Sequence, residues 1–414
     1  MFEKLFTRSV VLHRHENAPY REERERYLRY CMQEKYTFST LLQKARELLW
    51  IARKLRIDPE RGVTLKQVEE VARGWTERER YCGQPLNARW TGIRFIEVAR
   101  SWLRFLGYWR EPRRVTFFEP LVRAFRLWME KDRGFTPATI DQGCGKLQQF
   151  LLWYTECGRG ISEVRPEDID RFLASYGAKG NCRKSVKNMA AALRIFFKYA
   201  GSMGWCSSSI GSMIHGPRIY SQEQLPLGPS WQEVRRLIAS METGRACDIR
   251  DKAIVMLFSI YGFRAMEVAT LKLDDIDWER NLISVARAKR RGRQTYPLIP
   301  PVGNAIIRYL QEVRPSSSYR EIFLRLVAPF RPILMRALYA LTSKRMRALG
   351  IHTYHSGPHS LRHACAAHLV AEGFSLKEIG DHLGHRSSSA TRIYAKVDLA
   401  GLRDVAAFDL GGLL

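Results

Sequence analysis

Four short segments, far apart in the chain, carry the side chains that a nucleophilic attack on a phosphodiester requires. In chain order these side chains are Arg264, Lys289, His359 with Arg362, and His385 with Tyr394. Guanidinium, ammonium and imidazole groups can hold and neutralise phosphate oxygens, and a phenol can act as a covalent nucleophile. The combination predicts a phosphodiester-cleaving site in which Tyr394 attacks, provided that folding gathers all six groups.

Two of these segments leave room for more than one interpretation. Glu267 follows Arg264 by three residues in an otherwise apolar stretch, so it either forms a simple helix ion pair or fixes the guanidinium from behind. Lys289 is the only lysine in a segment of arginines, and a lysine can release a proton whereas a guanidinium cannot do so readily. We expect Glu267 to position Arg264 and Lys289 to act as a general acid, although a basic hairpin tip can also be merely solvated.

The histidines near position 360 raise the question of a metal site. His359 and Arg362 are three residues apart and should face the same way at the start of a helix. His359 and His363 also have the i, i+4 spacing of a zinc-binding helix, but that motif needs a glutamate where this chain has Ser360. We therefore predict neither a metal nor another cofactor, and we expect His363 and His368 to pack or to form structural hydrogen bonds.

The charge of the chain indicates a polyanionic partner. The 414 residues include 68 lysines and arginines against 42 acidic residues, which gives a formal net charge of +26. Each cation set against a nucleic acid phosphate releases condensed counterions, although a soluble protein can also simply be basic. No apolar run is long enough to span a membrane, the N-terminus lacks the features of a signal peptide, and the eight cysteines include no CxxC pair. We expect a cytoplasmic protein without a membrane partner.

Hydrophobic periodicity divides the chain into helical blocks. Leu41, Ala45, Leu48 and Ala52 recur at three- and four-residue steps, and Thr136 before a proline marks another helix start. The expected organisation is a helical block over 1–112, a second over 113–212, a linker over 213–228 and a mostly helical segment over 229–414. Strand-forming residues at 283–285 and 295–298 bracket a basic turn and predict a hairpin. The fold class is thus expected to be mainly α with a small antiparallel β-sheet.

Two groups of basic residues are candidates for contacts with DNA phosphates. One lies on a helix predicted over about 183–199, opposite its apolar face, and the other surrounds the hairpin turn. The residues are Arg183, Lys184, Lys187 and Arg194 in the helix, and Arg287, Arg290, Arg291 and Arg293 in the hairpin. A solvated basic face is the competing interpretation of both groups.

The motifs resemble those of the tyrosine recombinases, also called the phage integrase family. The segments GFRAMEVATLKLDDID, HSLRHACAAHL and LGHRSSSATRIYAKV match the three boxes of that family, and the resemblance covers about residues 115–414. Phe263 replaces the usual leucine before Arg264, and Ala364 with Cys365 replaces a common Thr-Phe pair. The resemblance implies a SAM-like core-binding domain at 113–212 and an α+β catalytic domain at 229–414 with a C-terminal docking tail. Residues 1–112 would form an accessory domain that binds arm-type DNA sites.

The resemblance also implies a role for each group. Tyr394 would attack the scissile phosphate and form a 3′-phosphotyrosyl enzyme with a free 5′-hydroxyl, without metal or ATP. Three groups would hold the non-bridging oxygens as charge grows: Arg264, Arg362 and His385. Lys289 would protonate the leaving 5′-oxygen, and His359 would assist proton transfer at the tyrosine.

The implied activity is site-specific recombination of double-stranded DNA. Four protomers would act on two duplexes, with accessory or sister recombinases as further partners, in the nucleoid of a prokaryotic cytoplasm. The N-terminal block favours integration or transposition of a mobile element. Two alternatives stay open: a type IB topoisomerase, which shares the nucleophile and its cationic neighbours, and a structural DNA-binding protein with an inactive site.

Overall fold

The computed structural model describes residues 1–81, 88–111, 118–219, 228–287, 292–354, 356–385 and 390–397. These residues are mostly helical and contain a three-stranded antiparallel sheet, which confirms the predicted fold class. The chain divides into two compact units, one of Met1–Glu111 with Gln224–Leu414 and the other of Pro112–Glu223. Within the described residues, no helix combines the length and apolar character that a membrane span needs. The assignment of functions to domains 1–112, 113–212 and 229–414 stays a prediction.

Among the described residues, the N-terminal part of the first unit contains five α-helices that pack around an aromatic core. They are α1 (Ser9–Glu16), α2 (Arg21–Gln33), α3 (Phe38–Lys54), α4 (Leu65–Tyr81) and α5 (Ala88–Leu106). The predicted apolar stripe of α3 is buried, with Ala45 and Leu48 fully inaccessible. Arg24 is also buried, and its guanidinium donates hydrogen bonds to the carbonyls of His15 (2.7 Å) and Ala18 (3.0 Å). This arginine therefore ties α2 to the turn that precedes it.

The second unit is a bundle of helices with its own core. Its helices are α6 (Glu119–Lys131), α7 (Pro137–Thr155), α8 (Pro166–Ala178), α9 (Arg183–Ser202) and α10 (Ile210–Met213). The predicted start of α7 is confirmed, because the Thr136 hydroxyl accepts a hydrogen bond from the Thr139 amide at 3.4 Å. The core is rich in phenylalanine, and Phe150 meets Phe172 and Phe197 edge to face.

The C-terminal part of the first unit contains the sheet and the hydrophobic core with the most buried residues among those that the structure describes. Its helices are α11 (Trp231–Ala239), α12 (Ala246–Ile260), α13 (Ala265–Ala269), α14 (Pro300–Glu312), α15 (Met335–Ala348), α16 (Pro358–Ala371) and α17 (Leu376–Leu383), followed by a 3-10 helix (Arg392–Val397). The strands are β1 (Ile276–Asp277), β2 (Leu282–Arg287) and β3 (Gly292–Pro297), in spatial order β1-β2-β3. The predicted hairpin is confirmed as β2 and β3, with Ser284 opposite Thr295.

A buried central helix, α12, fixes the elements that carry the candidate site. Residues 253–259 of α12 are buried on every side, and α14 and α16 pack against it. Near the N-terminus of α12, Asp248 and Asp251 both bind the guanidinium of Arg345 on α15, at 2.6 and 2.7 Å. Burial of Asp248 opposes its ionisation. Hydrogen bonds from a neighbouring hydroxyl, from a neighbouring arginine and from the Arg345 guanidinium nevertheless hold the pKa of Asp248 well below its usual range. The helices around the site are thus joined by both apolar packing and ion pairs.

Candidate active site

Three arginines from distant parts of the chain converge on the carboxyl end of α17. The last carbonyl groups of a helix have no partner within the helix and carry a partial negative charge, so they attract cations. The hydrogen bonds run from Arg287 to the His382 carbonyl (3.1 Å), from Arg362 to the Leu383 carbonyl (2.6 Å) and from Arg264 to the Gly384 carbonyl (3.2 Å). Arg264 and Arg362, both predicted to hold phosphate oxygens, therefore lie side by side.

Glycine at position 384 makes this arrangement feasible. Gly384 follows the last residue of α17 and has a φ of +62°, a left-handed conformation that residues with a side chain rarely adopt. A Cβ atom at this position would also lie only 2.6 Å from Nε of Arg287. The glycine thus ends the helix and leaves space for a guanidinium beside it.

Glu267 holds two of the three guanidinium groups together. The carboxylate lies in the first turn of α13 and is buried. Oε1 accepts from Arg264 at 2.9 Å, and Oε2 accepts from the Arg264 amide at 2.8 Å and from Arg287 at 2.7 Å. One anion therefore caps α13 and partly offsets the repulsion between two cations.

Arg287 occupies the interior rather than the surface. The expectation that it contacts DNA disagrees with the structure, in which only 3% of the residue is exposed. Its guanidinium also donates to Gln294 at 2.9 Å and to the Tyr296 hydroxyl. The reason is the two-residue period of a strand, which places Arg287 on the same inward face of β2 as Ile283 and Val285. That alternation is readable in the sequence and could have identified Arg287 as an inward residue.

The two arginines predicted to hold phosphate differ in exposure. Arg362, in the first turns of α16, is buried and donates to the Gly262 carbonyl as well as to α17. Burial and the nearby charge of Arg264 lower the pKa of Arg362 to about 10, so the group still carries its charge at neutral pH. The side chain of Arg264 is 23% exposed and forms the accessible side of the pair.

His385 follows Gly384 in the chain, directly after the carbonyls that bind the three arginines. Its Nδ1 lies 2.7 Å from the Thr391 hydroxyl, which fixes the orientation of the ring. Burial and the charges of Arg362 and Arg264 lower the pKa of His385 to about 4. The imidazole is therefore neutral near pH 7 and can donate a hydrogen bond through one ring nitrogen.

Tyr394 lies beside His385 but is covered. It belongs to the 3-10 helix that follows, and its ring is parallel to that of His385 with the centroids 6.5 Å apart. Only 1% of the residue is exposed, because it packs in a cluster with Cys365, Leu383 and their neighbours. Burial raises the pKa of the phenol to about 12. The side chain thus adjoins the cationic groups but is covered by its neighbours.

The group that contacts the Tyr394 hydroxyl is His363. Its Nδ1 lies 2.8 Å from the phenolic oxygen, whereas the ring of His359 lies one helical turn away with its centroid 5.3 Å from that of His363. His359 is exposed at the start of α16. His363 was expected to pack or to form structural hydrogen bonds, and the sequence did not indicate that its partner would be Tyr394.

The remaining predicted residues divide into three groups. Lys289, Arg290 and Arg291 lie outside the described residues. Arg293, on β3, is exposed and pairs with Asp275. On α9, Arg183, Lys184 and Lys187 are exposed, whereas Arg194 is half-buried and donates to the Ile214 carbonyl at 2.8 Å. Among the described residues, no three histidine, cysteine, aspartate or glutamate side chains are grouped as metal ligands.

Comparisons with known proteins decide the family. The profile of the phage integrase family matches residues 230–400, and that of the phage integrase N-terminal SAM-like domain matches residues 122–204. A putative integrase/recombinase, y4rA of Sinorhizobium fredii, is 33% identical over 290 residues, which cover 70% of each chain. The chain belongs to the phage integrase family of tyrosine recombinases. Its members are DNA breaking-rejoining enzymes, and it is one of them.

Other members of the family extend the comparison. The tyrosine recombinase XerD of Listeria monocytogenes is 27% identical over 291 residues, covering 69% of this chain and 96% of its own. Two solved structures share the fold. The XerH site-specific recombinase bound to difH has a TM-score of 0.53 and 18% identity, and the match covers 69% of this chain and 84% of XerH. The Tn1549 transposon integrase in complex with circular intermediate DNA has a TM-score of 0.51 and 16% identity, and the match covers 66% of this chain and 94% of the integrase. All these relatives are named recombinases or integrases, so the topoisomerase alternative is not favoured.

Proposed function

We propose that this recombinase cleaves DNA by attack of Tyr394 on a phosphodiester held by Arg264, Arg362 and His385. The supporting observation is the convergence of Arg264 and Arg362 on consecutive carbonyls of one helix end, directly before His385. The product is a 3′-phosphotyrosyl enzyme and a free 5′-hydroxyl. Because the covalent link conserves the energy of the broken bond, the 5′-hydroxyl of another strand can attack it and complete recombination without ATP.

The arrangement supports transition-state stabilisation by fixed charges. Arg264 and Arg362 are oriented before any phosphate arrives, since Glu267 and the carbonyls of α17 hold them, so little reorganisation accompanies the reaction. His385, neutral near pH 7, donates a hydrogen bond to a non-bridging oxygen. Lys289 protonates the leaving 5′-oxygen, and His359, at the exposed start of α16, contributes to proton transfer.

Access to Tyr394 is a requirement of this mechanism. A phenol that is 1% exposed cannot reach a phosphorus atom until its neighbours separate from it. We propose that DNA binding displaces the 3-10 helix Arg392–Val397 and brings the hydroxyl towards Arg264. A bound phosphate partly neutralises the arginines, so they stabilise the phenolate less than they would in the free enzyme. Positioning of the phenol, rather than a low pKa, must therefore supply much of the rate.

The proposed substrate is double-stranded DNA with specific recombination sites, bound by a tetramer. The solved relatives include recombinases in complex with difH and with transposon DNA. The exposed basic residues of α9 would contact the backbone of the core site, and residues 1–112 would bind accessory DNA sites. We place the reaction in the prokaryotic cytoplasm, at the nucleoid, in the movement of a mobile element with sister or accessory recombinases.

A nicked suicide substrate tests the nucleophile. DNA flanking the gene is screened for sites, and the protein is incubated with a substrate whose nick traps the covalent intermediate. Tyr394→Phe should bind this DNA normally and form no adduct, whereas Tyr319→Phe, at an exposed position, should behave as wild type. An adduct that survives Tyr394→Phe contradicts the assignment. Relaxation of plasmids without recombination sites, and without strand exchange, would instead indicate a topoisomerase.

A further inference from the structure

A row of three side chains connects the surface to the buried phenol. His359 is exposed, His363 is half-buried, and Tyr394 is buried, so accessibility falls along the row. The rings of the two histidines are 5.3 Å apart, and Nδ1 of His363 lies 2.8 Å from the phenolic oxygen. A nucleophile within hydrogen-bond distance of an imidazole is the arrangement by which enzymes activate hydroxyl groups.

We propose that His363 is the general base that takes the proton of Tyr394 during DNA cleavage. The inference rests on the proposed function, in which Tyr394 is the nucleophile. A neutral imidazole with its proton on Nε2 presents the lone pair of Nδ1 to the phenol, which then donates. As the bond between the phenolic oxygen and phosphorus forms and the bond to the 5′-oxygen breaks, the phenolic proton moves to Nδ1. His363 can then release its Nε2 proton towards His359 or solvent, and the rejoining step runs in reverse.

The surrounding charges link this base to DNA binding. Arg362 and the buried thiol of Cys365 flank the phenol from α16, and His385 faces it from the turn after α17. Burial and the charges of Arg362 and Arg264 lower the pKa of His385, which shows that the guanidiniums oppose a further positive charge here. A bound phosphodiester supplies a negative charge at the same place. A bound phosphodiester therefore offsets positive charge that would oppose proton transfer to an imidazole at this site.

The contact with His363 must also persist when the phenol becomes accessible. The two groups lie on neighbouring elements, α16 and the 3-10 helix, so the shift of the 3-10 helix must be small enough to keep the phenolic oxygen within hydrogen-bond distance of Nδ1. Nδ1 of His363 lies 2.8 Å from the phenolic oxygen, and His359, at the exposed end of α16, lies on the far side of His363 in the order of accessibility. The structure therefore favours His363 over His359 for this step.

Two variants separate proton acceptance from positioning. His363→Ala removes the contact, whereas His363→Gln keeps a hydrogen-bond acceptor near the phenol but cannot carry the proton. Single-turnover cleavage of the suicide substrate is measured from pH 6 to pH 10, with DNA binding and thermal unfolding as controls for folding. His368→Ala is the matched control, because His368 stacks on Trp231 on the same helix with a centroid separation of 4.0 Å.

Both His363 variants should cleave about 100- to 1,000-fold more slowly than wild type at pH 7. Their rates should rise by about tenfold per pH unit, because solvent hydroxide replaces the lost base, whereas the wild-type rate levels off. A substrate with sulfur at the 5′-bridging position needs no proton on its leaving group, so it should not restore these variants. It should restore Lys289→Ala.

The outcomes separate this inference from the proposed function. Four results would each overturn the assignment of the base. They are activity of His363→Gln near the wild-type level, cleavage by His363→Ala that is faster than by wild type, a pH profile of either variant parallel to that of wild type, and rescue of either variant by the sulfur substrate. If Tyr394→Phe forms no adduct in the same experiment, the nucleophile stands even when His363 fails. If Tyr394→Phe still forms an adduct, the proposed function itself is wrong.

Discussion

Replacement of Arg287 by methionine should destabilise the folded chain and slow DNA cleavage, although Arg287 does not face the accessible side of the site. Methionine has a similar length but no charge and no donors. The change removes the ion pair with Glu267 at 2.7 Å and leaves the His382 carbonyl without this donor. Arg287 is 3% exposed, so solvent cannot replace the lost contacts.

The magnitude follows from the burial of the pair. Removal of one partner of a buried ion pair costs about 3–5 kcal/mol. Glu267 retains Arg264 and the His382 carbonyl retains the Tyr296 hydroxyl, which favours the lower end of this range, whereas the lost contact with Gln294 adds to the cost. We expect the free energy of unfolding to fall by about 3–4 kcal/mol. Cleavage should slow by about 10- to 100-fold, because Arg264 is no longer held as firmly.

Urea unfolding and suicide-substrate cleavage measure the two effects. Arg293→Met is the matched control for stability, since Arg293 lies on the neighbouring strand but pairs at the surface with Asp275. Its effect on the free energy of unfolding should stay within about 0.5 kcal/mol. A double-mutant cycle with Glu267→Gln should show coupling of about 1–3 kcal/mol. Equal stabilities of Arg287→Met and Arg293→Met, or no coupling to Glu267, would refute the argument.

Other variants test separate parts of the chain. Arg24→Met should lower the free energy of urea unfolding by about 1–3 kcal/mol, because the carbonyls that Arg24 binds are buried with it. The pKa of His385 is lowered from 6.5 to about 4, so the stability gained from its neutral form is complete above pH 6.5 and is lost as the pH falls to 4. His385→Gln should therefore reduce the slope of the free energy of unfolding against pH in this window, by up to the amount that corresponds to one bound proton. An unchanged slope would contradict this prediction. Lys187→Ala, at an exposed position of α9, should weaken DNA binding equally for all sequences. It should also reduce the dependence of the binding constant on salt concentration by about the contribution of one phosphate contact. Lys131→Ala, on α6, should leave binding unchanged.

The sequence was sufficient for features that depend on local chemistry. Strand-forming residues around a glycine-containing turn located the hairpin, and Thr136 located the start of α7. A carboxylate in an apolar stretch needs a partner, which identifies Glu267 from the sequence, and its contact with Arg264 is present in the structure. In each case a single segment contains both the signal and its cause.

Contacts between segments far apart in the chain were harder to foresee. A run of arginines around the hairpin reads as a uniformly basic turn, yet the strand period turns Arg287 inward while Arg293 stays exposed. The pairing of His363 with Tyr394 depends on how the 3-10 helix returns to α16, 31 residues later in the chain. The spacing of His359 and His363 shows which residues share a face, but it does not show which of them meets the phenol.

The charge balance at the end of α17 explains why a chain would bury so many cations together. Three guanidinium charges, offset by the Glu267 carboxylate and about half a charge from the helix terminus, leave roughly one and a half positive charges. A phosphodiester carries one negative charge, and the five-coordinate phosphorus formed by attack of a phenolate carries two. A net positive charge attracts the doubly charged transition state more strongly than the singly charged substrate, and a site that binds the transition state more tightly accelerates the reaction. Glu267→Gln raises the positive charge but releases Arg264, so DNA binding should tighten through the added charge while cleavage slows through the lost positioning of Arg264, whereas loss of a purely structural carboxylate would weaken both together.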